Sequence, residues 1–543
     1  MADTSSPFLE TGSQRGPAAA LEWVIRRRGF QLLTLIAYAL FLNREGSRVP
    51  SGNEMVYLLY LWKAWHPHFL AGDWTFKEPT AGHGFFNYTV GWLTCLMSLE
   101  KSAWVGRVLC WTLTFLGLMR LGKHFDIPGW GVWLGILIWL AERQALPAAP
   151  LSEWIVGTFE AKCPAYICLI FALDAALRNR LIVAGLLAGL GFSFHSAVGL
   201  WGGLALGWMI LSHAPLRKTV LFSIAAAATA LPGFISSLPL ILGKHPITPA
   251  ESAFLVTHIE PLLLDPYALL MPYVVLLLLM IVFGGIYRRL RRGTIAAQLW
   301  QFQLALTASF LFAFAARAMG RFDWVKLFPM RVFTVMVPLF FLWQMCWVTL
   351  DVFTHRRKEA PVLSAVFGAI LFLGMPSPVA MVLEAITSRL HSTRWALTEP
   401  VTFPDEKLET TPDFRAAAAW IRQNTPETDL IIAPPWRNDG YYFLRRPLIV
   451  NWHAFRYDEM TQWRTRIEQL VGDISNLDKF DPDLGPAHRA HYRNLTAEQI
   501  LKLQHQYNAN WLITTTDYPF EQVEKSGVFK VYRLPPAAPA NSN

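Results

Sequence analysis

The chain has 543 residues, of which 53% are hydrophobic and only 16% charged, and it holds 23 Trp and 36 Phe. Soluble domains carry about 25% charged residues, so this composition excludes a wholly soluble globular protein and requires much of the chain to cross lipid. The net charge of +9 makes no case for nucleic acid, because the arginines gather at the ends of apolar runs in the positive-inside pattern.

The first stretch, Met1–Leu21, is polar and rich in small residues, no cleavable signal peptide follows it, and Arg26, Arg27 and Arg28 precede the first apolar run. Residues 1–28 therefore read as a cytoplasmic segment. Apolar runs follow at Gly29–Leu42, Gly84–Met97, Ala103–Leu118, Gly129–Leu140, Ala165–Leu177 and Leu181–Phe194. They continue at Ala197–Leu211, Thr219–Leu242, Tyr267–Tyr287, Gln298–Ala316, Val332–Leu350 and Val362–Ile386. The basic connectors Arg178/Arg180, Arg217/Lys218, Arg288–Arg292 and Arg356–Lys358 all fall on the cytoplasmic side if one pair of spans separates each from the next. Glu160, His195, Pro246–Asp265, Arg317–Lys326 and everything after Leu390 then lie outside. An outer C-terminus needs an odd number of crossings, whereas these runs make an even set. The missing one is expected at Met55–Leu70 or Leu146–Phe159, each with a re-entrant or interfacial helix as its alternative, which makes about 13 crossings. Gly185/Gly189 and Gly199, Gly203 and Gly207 recur every fourth residue; close helix packing is expected there, with a substrate groove as the alternative.

The tail changes character. Thr411-Pro412-Asp413 reads as a helix start, and Phe414, Ala417, Ala418 and Ile421 form its apolar stripe. Leu430–Ala433, Leu448–Val450, Trp511–Thr514 and Phe529–Tyr532 read as strands, with helices from about Glu459 to Leu470 and after the Thr496/Gln499 capping box. The fold class is thus mainly α. A polytopic transmembrane helical domain over residues 29–390, with a large first outer loop at 43–83, precedes a small soluble extracytoplasmic α/β domain over 391–543.

Ionisable groups near membrane depth are functional candidates by default. The first outer loop is the densest region, with Glu54, His66, His68, Asp73, Lys77, Glu78 and His83. Glu54 and Asp73 flank the apolar Met55–Leu70 segment and would approach one another if it folded back. Such a pair serves as general base toward an acceptor hydroxyl or holds a divalent metal; the alternative is ordinary solvated loop charge. His66 and His68 stand on opposite helix faces, and the cysteines Cys95, Cys110, Cys163, Cys168 and Cys346 have no CxxC spacing, so neither zinc nor a disulfide framework is expected. Glu160, Lys162 and His195 either neutralise one another or line an outer polar cavity with His83. Arg317, Arg321, Lys326 and Arg331 put positive charge on the outer side against the usual bias, with only Asp323 among them. A phosphate or pyrophosphate headgroup would offset Arg321, Lys326 and Arg331, the alternative being structural pairing. No P-loop, GxGxxG, HExxH or nucleophile elbow stands in the right context, so an ATP-driven machine is not expected.

From Gly29 to about Lys218 the chain resembles the GT-C superfamily of polyprenyl-phosphate-sugar glycosyltransferases, of the protein O-mannosyltransferase and aminoarabinose-transferase type. Asn53-Glu54 with Tyr57 stands where those enzymes carry an Asp-Glu step and a Tyr after the first span, and His83-Gly84-Phe85 where they carry His-Pro-Pro. Arg107 matches the arginine beginning the next span, and Arg120–His124 the basic connector after it. The resemblance implies a catalytic loop on the outer side and an isoprenoid-phosphate donor. Asn53 replaces the acid that the family uses as base, so that role passes to Glu54 or Asp73, or the activity is lost. The tail is similar to the outer domain of a group of uncharacterised bacterial multi-pass proteins, on Trp420–Pro426, Pro434-Pro435, Arg445-Arg446 and Glu459–Arg466. That likeness implies a bacterial inner membrane.

The leading expectation is therefore glycosyl transfer from a polyprenyl-phosphate sugar to a glycan or protein acceptor, with membrane lipid and the carrier as partners. A transporter or lipid-linked saccharide flippase, and a non-catalytic scaffold with an outer interaction domain, are the alternatives.

Overall fold

The computed structural model describes residues 27–41, 49–77, 83–145, 155–242, 248–259, 264–267, 270–355, 411–454, 459–475, 477 and 484–536. The expected span Val362–Ile386 and the first residues of the C-terminal tail lie outside these, as does most of Leu146–Phe159.

The bundle begins with α1 (Arg28–Phe41) and two regions that do not form spanning helices. Helix α2 (Glu54–Trp65) has 12 residues and reaches about 18 Å, too short for a hydrocarbon core of about 30 Å. The expected span Gly84–Met97 is broken into α3 (Gly84–Val90) and α4 (Leu93–Leu96). Its break is at Gly91, where a Cβ would stand 2.6 Å from both the Leu61 carbonyl oxygen and the Trp65 ring. This close approach packs the segment against α2.

Then come α5 (Leu99–Leu121), α6 (Gly129–Ala145), α7 (Lys162–Leu177), α8 (Leu181–Phe194), α9 (Ser196–Leu211) and α10 (Leu216–Leu242). After the short α11 (Pro249–Phe254) follow α12 (Leu270–Leu290), α13 (Thr294–Ala318), α14 (Phe322–Val325) and α15 (Arg331–Thr354). Among the described residues four helical segments are long and apolar enough to cross a membrane: Leu99–Phe125, Leu216–Leu238, Thr294–Ala318 and Arg331–Val352. Shorter apolar helices cover Arg28–Phe41, Gly129–Leu140, Leu181–Phe194 and Ser196–Leu211.

Polar groups inside the bundle meet each other. Gln303 and Gln344 exchange amide hydrogen bonds of 3.2 and 2.8 Å between α13 and α15, fixing their register. At the opposite end from the first loop, Asp174 is ringed by Arg120 at 3.0 Å, His124 at 2.9 Å and Arg178 at 3.0 Å. Nearby, Arg291 pairs with Asp126.

The tail forms α16 (Thr411–Asn424), β1 (Ile431–Ile432), α17 (Gly440–Leu444), α18 (Met460–Val471), α19 (Pro486–Arg493) and α20 (Ala497–Tyr507). It closes with β2 (Trp511–Thr514), β3 (Glu521–Ser526) and β4 (Phe529–Arg533). The sheet order is β1-β2-β4-β3, with β1 parallel to β2 and the remaining pairs antiparallel. Expected strand Leu448–Val450 reduces to a single parallel bridge from Leu448 to Ile431. The capping box forms as read: Thr496 Oγ1 accepts from the Gln499 N–H, and Gln499 Oε1 from the Thr496 N–H.

The tail does not hang free. One hydrophobic cluster joins Met55, Leu58, Phe76 and Phe86 of the first loop region to Phe414, Tyr441, Leu448 and Trp511 of the tail. A second joins Leu255, Val256 and Val325 to Trp463, Ile467 and Tyr532. Both ends of the small domain are thus rooted in loops of the helical one.

Candidate functional site

Glu54 and Arg107 form a fully buried ion pair. Arg107 Nε donates to Glu54 Oε1 at 2.8 Å and Nη2 to Oε2 at 2.6 Å. The Phe159 N–H gives Oε1 a further bond of 2.7 Å, and the Ser51 N–H reaches Oε2 at 3.2 Å. Each carboxylate oxygen therefore has two donors, which fills its usual acceptor capacity. This arrangement anchors the first loop to α5 and to the segment before α7, and leaves Glu54 little room to take a proton from a substrate.

Asp73 does a different job from its sequence neighbour. Its Oδ1 accepts from the Thr75 N–H at 2.7 Å, the Phe76 N–H at 3.1 Å and the Tyr441 hydroxyl at 3.2 Å, while Oδ2 accepts from the Leu448 N–H at 2.9 Å. It is fully buried at the seam with the tail, and burial pushes its carboxyl up to about 6 against the donors that favour the anion. Around it, Trp74 donates to Glu459 at 2.8 Å, the Arg445 guanidinium lies 4.9 Å from the Trp62 ring, and Tyr442 bonds Glu100. No hydrogen bond joins Glu54 to Asp73: the expected carboxylate pair is two separate anchors.

Tyr57, His83, His195 and Arg331 do converge. Tyr57 Oη stands 3.3 Å from His83 Nε2, the His83 and His195 rings are 4.9 Å apart, and Arg331 Nη1 reaches His195 Nε2 at 2.8 Å. A guanidinium only donates, so His195 Nε2 turns its lone pair toward Arg331, while Nδ1 lies 3.5 Å from the Val198 N–H. His195 sits at the corner between α8 and α9, which is why its ring faces the start of α15. Arg331 is held from both sides: Tyr166 donates to its carbonyl at 2.9 Å, and its guanidinium rides 4.2 Å over the Phe328 ring. Glu160 pairs with Lys162 at 3.1 Å and accepts from Thr158, and the Lys162 charge bears on His195. Tyr57, His83, Glu160, Lys162, His195 and Arg331 thus gather donors and cations from five separate elements.

Arg321 and Lys326 stay with the short loop that contains α14. Arg321 gives two hydrogen bonds to Asp323, at 3.0 and 2.7 Å, and lies 4.0 Å over Trp324. Arg317 pairs with Asp265 at 3.2 Å. Of the three residues expected to hold a phosphate, Arg331 is the one placed in the buried cluster. Tyr166 was not read from the sequence, since a tyrosine inside an apolar run carries no signal of its own. Among the described residues no group of His, Cys, Asp or Glu is placed to hold a metal ion.

The glycine ridges divide into two kinds. Gly185 and Gly189 pack against α10, where a Cβ would stand 2.3 Å from the Phe222 carbonyl oxygen and 2.0 Å from that of Ala226. Gly203 has nothing within 4 Å, and with Gly199 and Gly207 it lines an apolar groove of about 500 Å³ along α9 and α10. Phe192 and Gly199, at the outer end of this groove, flank the corner that holds His195.

The whole architecture is similar to a solved bacterial enzyme. The crystal structure of ArnT from Cupriavidus metallidurans bound to undecaprenyl phosphate superimposes with a TM-score of 0.50 at 14% identity, covering 94% of this chain and 98% of that one. The chain has a GT-C-like fold. With its apolar helices, this makes it a membrane protein. A family model described as a domain of unknown function (DUF6798) matches residues 412–470, the part of the tail that supplies Tyr441, Arg445, Leu448 and Glu459 to the seam. No curated protein matches the chain.

Proposed function

We propose that the chain is a membrane glycosyltransferase-like protein that takes a polyprenyl-phosphate-linked sugar at the outer face of a bacterial inner membrane. The observation that carries this reading is the convergence of Tyr57, His83, His195 and Arg331 at one end of a GT-C-like bundle. In inverting transfer an acceptor oxygen attacks the anomeric carbon, and the bond to the carrier phosphate breaks with its electron pair on the phosphate. Arg331, with Lys162 and a histidine N–H, would neutralise that developing charge. We assign the acceptor proton to Glu160, which among the described residues meets Lys162 and Thr158, and give Glu54 and Asp73 the task of holding the loop. The acceptor is a glycan or a protein.

The basic connectors support a cytoplasmic N-terminus and an outer tail domain over 391–543. Without crossings at 54–65 and 84–97, the alternation of runs comes out odd and the count becomes about 11 rather than about 13.

Native mass spectrometry of the purified chain with undecaprenyl phosphate tests the reading. Retention by the wild type, lowered at least about tenfold in Arg331→Ala, is expected; equal retention by both would overturn it. A second reading is a carrier-binding protein without transfer, favoured by the amide at Asn53 and the engagement of Glu54 and Asp73. Intact binding with no sugar transferred in proteoliposomes would establish that reading instead.

A further inference from the structure

The end of the bundle remote from His195 has a second feature that glycosyl transfer does not use. A cleft of about 1150 Å³ opens between the end of α12, the start of α13 and the end of α9, lined by Arg288, Arg289, Arg292, His213, Trp300 and Gln301 among others. Among the described residues no carboxylate lines it. The neighbouring cations are committed, Arg291 to Asp126 and Arg120, His124 and Arg178 to Asp174. Among the described residues, Arg288, Arg289 and Arg292 make no ion pair. Helix α13 begins at the cleft, and its N-cap, Gly293, gives no side-chain cap, so the leading N–H groups and helix dipole of a 25-residue helix add to the positive field.

We propose that this cleft binds the phosphate headgroup of an anionic membrane phospholipid. Three arginine forks around a helix N-terminus match phosphate oxygens. The adjoining wall argues for a lipid as the source of that phosphate. Trp208 lines the apolar groove and donates from Nε1 to Gln301 Oε1 of the cleft at 2.9 Å. Leu211, 53% exposed, continues the groove to the edge of the cleft beside His213. The headgroup sits among the arginines while an acyl chain follows the groove toward the open Gly203. Basic pockets between membrane helices bind anionic headgroups by this geometry. Helix α13 is about 37 Å long, so the cleft is distinct from the Arg317 end of the bundle and from the outer cluster.

The test uses the full-length chain in neutral detergent, titrated with phosphatidylglycerol or phosphatidylcholine and read by native mass spectrometry, with inorganic phosphate in a parallel thermal-shift arm. The wild type should retain phosphatidylglycerol at least about tenfold better than phosphatidylcholine. R288Q/R289Q/R292Q should lose the preference, R288K/R289K/R292K should keep part of it, and G203L should lower phosphatidylglycerol retention severalfold without restoring phosphatidylcholine. Equal retention of the two lipids by the wild type overturns the proposal, as does an unchanged preference in the glutamine variant. A thermal shift with inorganic phosphate but none with phosphatidylglycerol overturns the lipid as ligand. Should the triple variant fail to fold, the wild type still decides: a preference that does not fall between about 50 and 500 mM salt is not electrostatic and sinks the idea.

Discussion

Arg107 and Arg331 are both buried in the helical bundle, yet they are used differently. Arg107 meets a carboxylate that spends both oxygens on it. Arg331 meets the ring of His195, itself next to His83. A buried guanidinium gripped by a carboxylate is a rivet, since removing either partner strands a charge in a dry interior. One aimed at an imidazole adds positive field to the space those rings enclose, where the proposed function puts a phosphate. The same residue type therefore serves architecture in one place and, in the proposed reading, anion binding in the other. The two kinds of glycine repeat the contrast, with Gly189 closed against a helix and Gly203 open to a groove.

Three experiments press on this contrast. The largest effect is expected at the rivet: Glu54→Ala or Arg107→Ala should each cost about 3–5 kcal/mol of stability, and Glu54→Gln with Arg107→Met less than either. Thermal melting of the four proteins checks this, and additive losses in the double variant would show that the pair does not act as a unit. Next is Asp73, whose carboxyl is raised to about 6 from an ordinary value of about 3.9. A raised folded value means that stability is fully present below about pH 4 and is lost as pH rises through about 6, by up to about 3 kcal/mol. Melting of the wild type should therefore fall from pH 4 to 7, relative to Asp73→Asn, whose profile lacks this component. Parallel profiles would show that Asp73 keeps its ordinary acidity. The smallest effects separate the glycines: Gly189→Ala should cost about 1–3 kcal/mol by overpacking, whereas Gly203→Ala should stay within about 0.5 kcal/mol. Equal losses at both positions would mean that the groove closes in the membrane.

Local signals in the sequence translated into structure well. The Thr496/Gln499 box and the strand expected at Leu430–Ala433, which forms over Ile431–Ile432, each depend on residues close in the chain. His83, Glu160, Lys162, His195 and Arg331 were placed on one side by topology, and the fold brings them together, though which atoms touch could not be read. Pairings across long separations were not legible. Glu54 finds Arg107 in another helix and Asp73 finds Tyr441 far along the chain, and charge type alone does not choose between such partners. The β3 strand was missed because it is a polar edge without apolar alternation, and apolarity alone does not reveal that the Gly84–Met97 run is interrupted at Gly91.

The bond between Asp73 and the Leu448 N–H spans 375 residues of chain. At a synthesis rate of about 5–20 residues per second, the first loop waits about 20–75 s for the partner that completes its core. Throughout that interval Phe76 lacks the Tyr441 ring that packs 5.0 Å from it. A nascent chain stalled or cut before α17 would display this unfinished patch, and a cell's proteases would read it as the mark of an incomplete molecule.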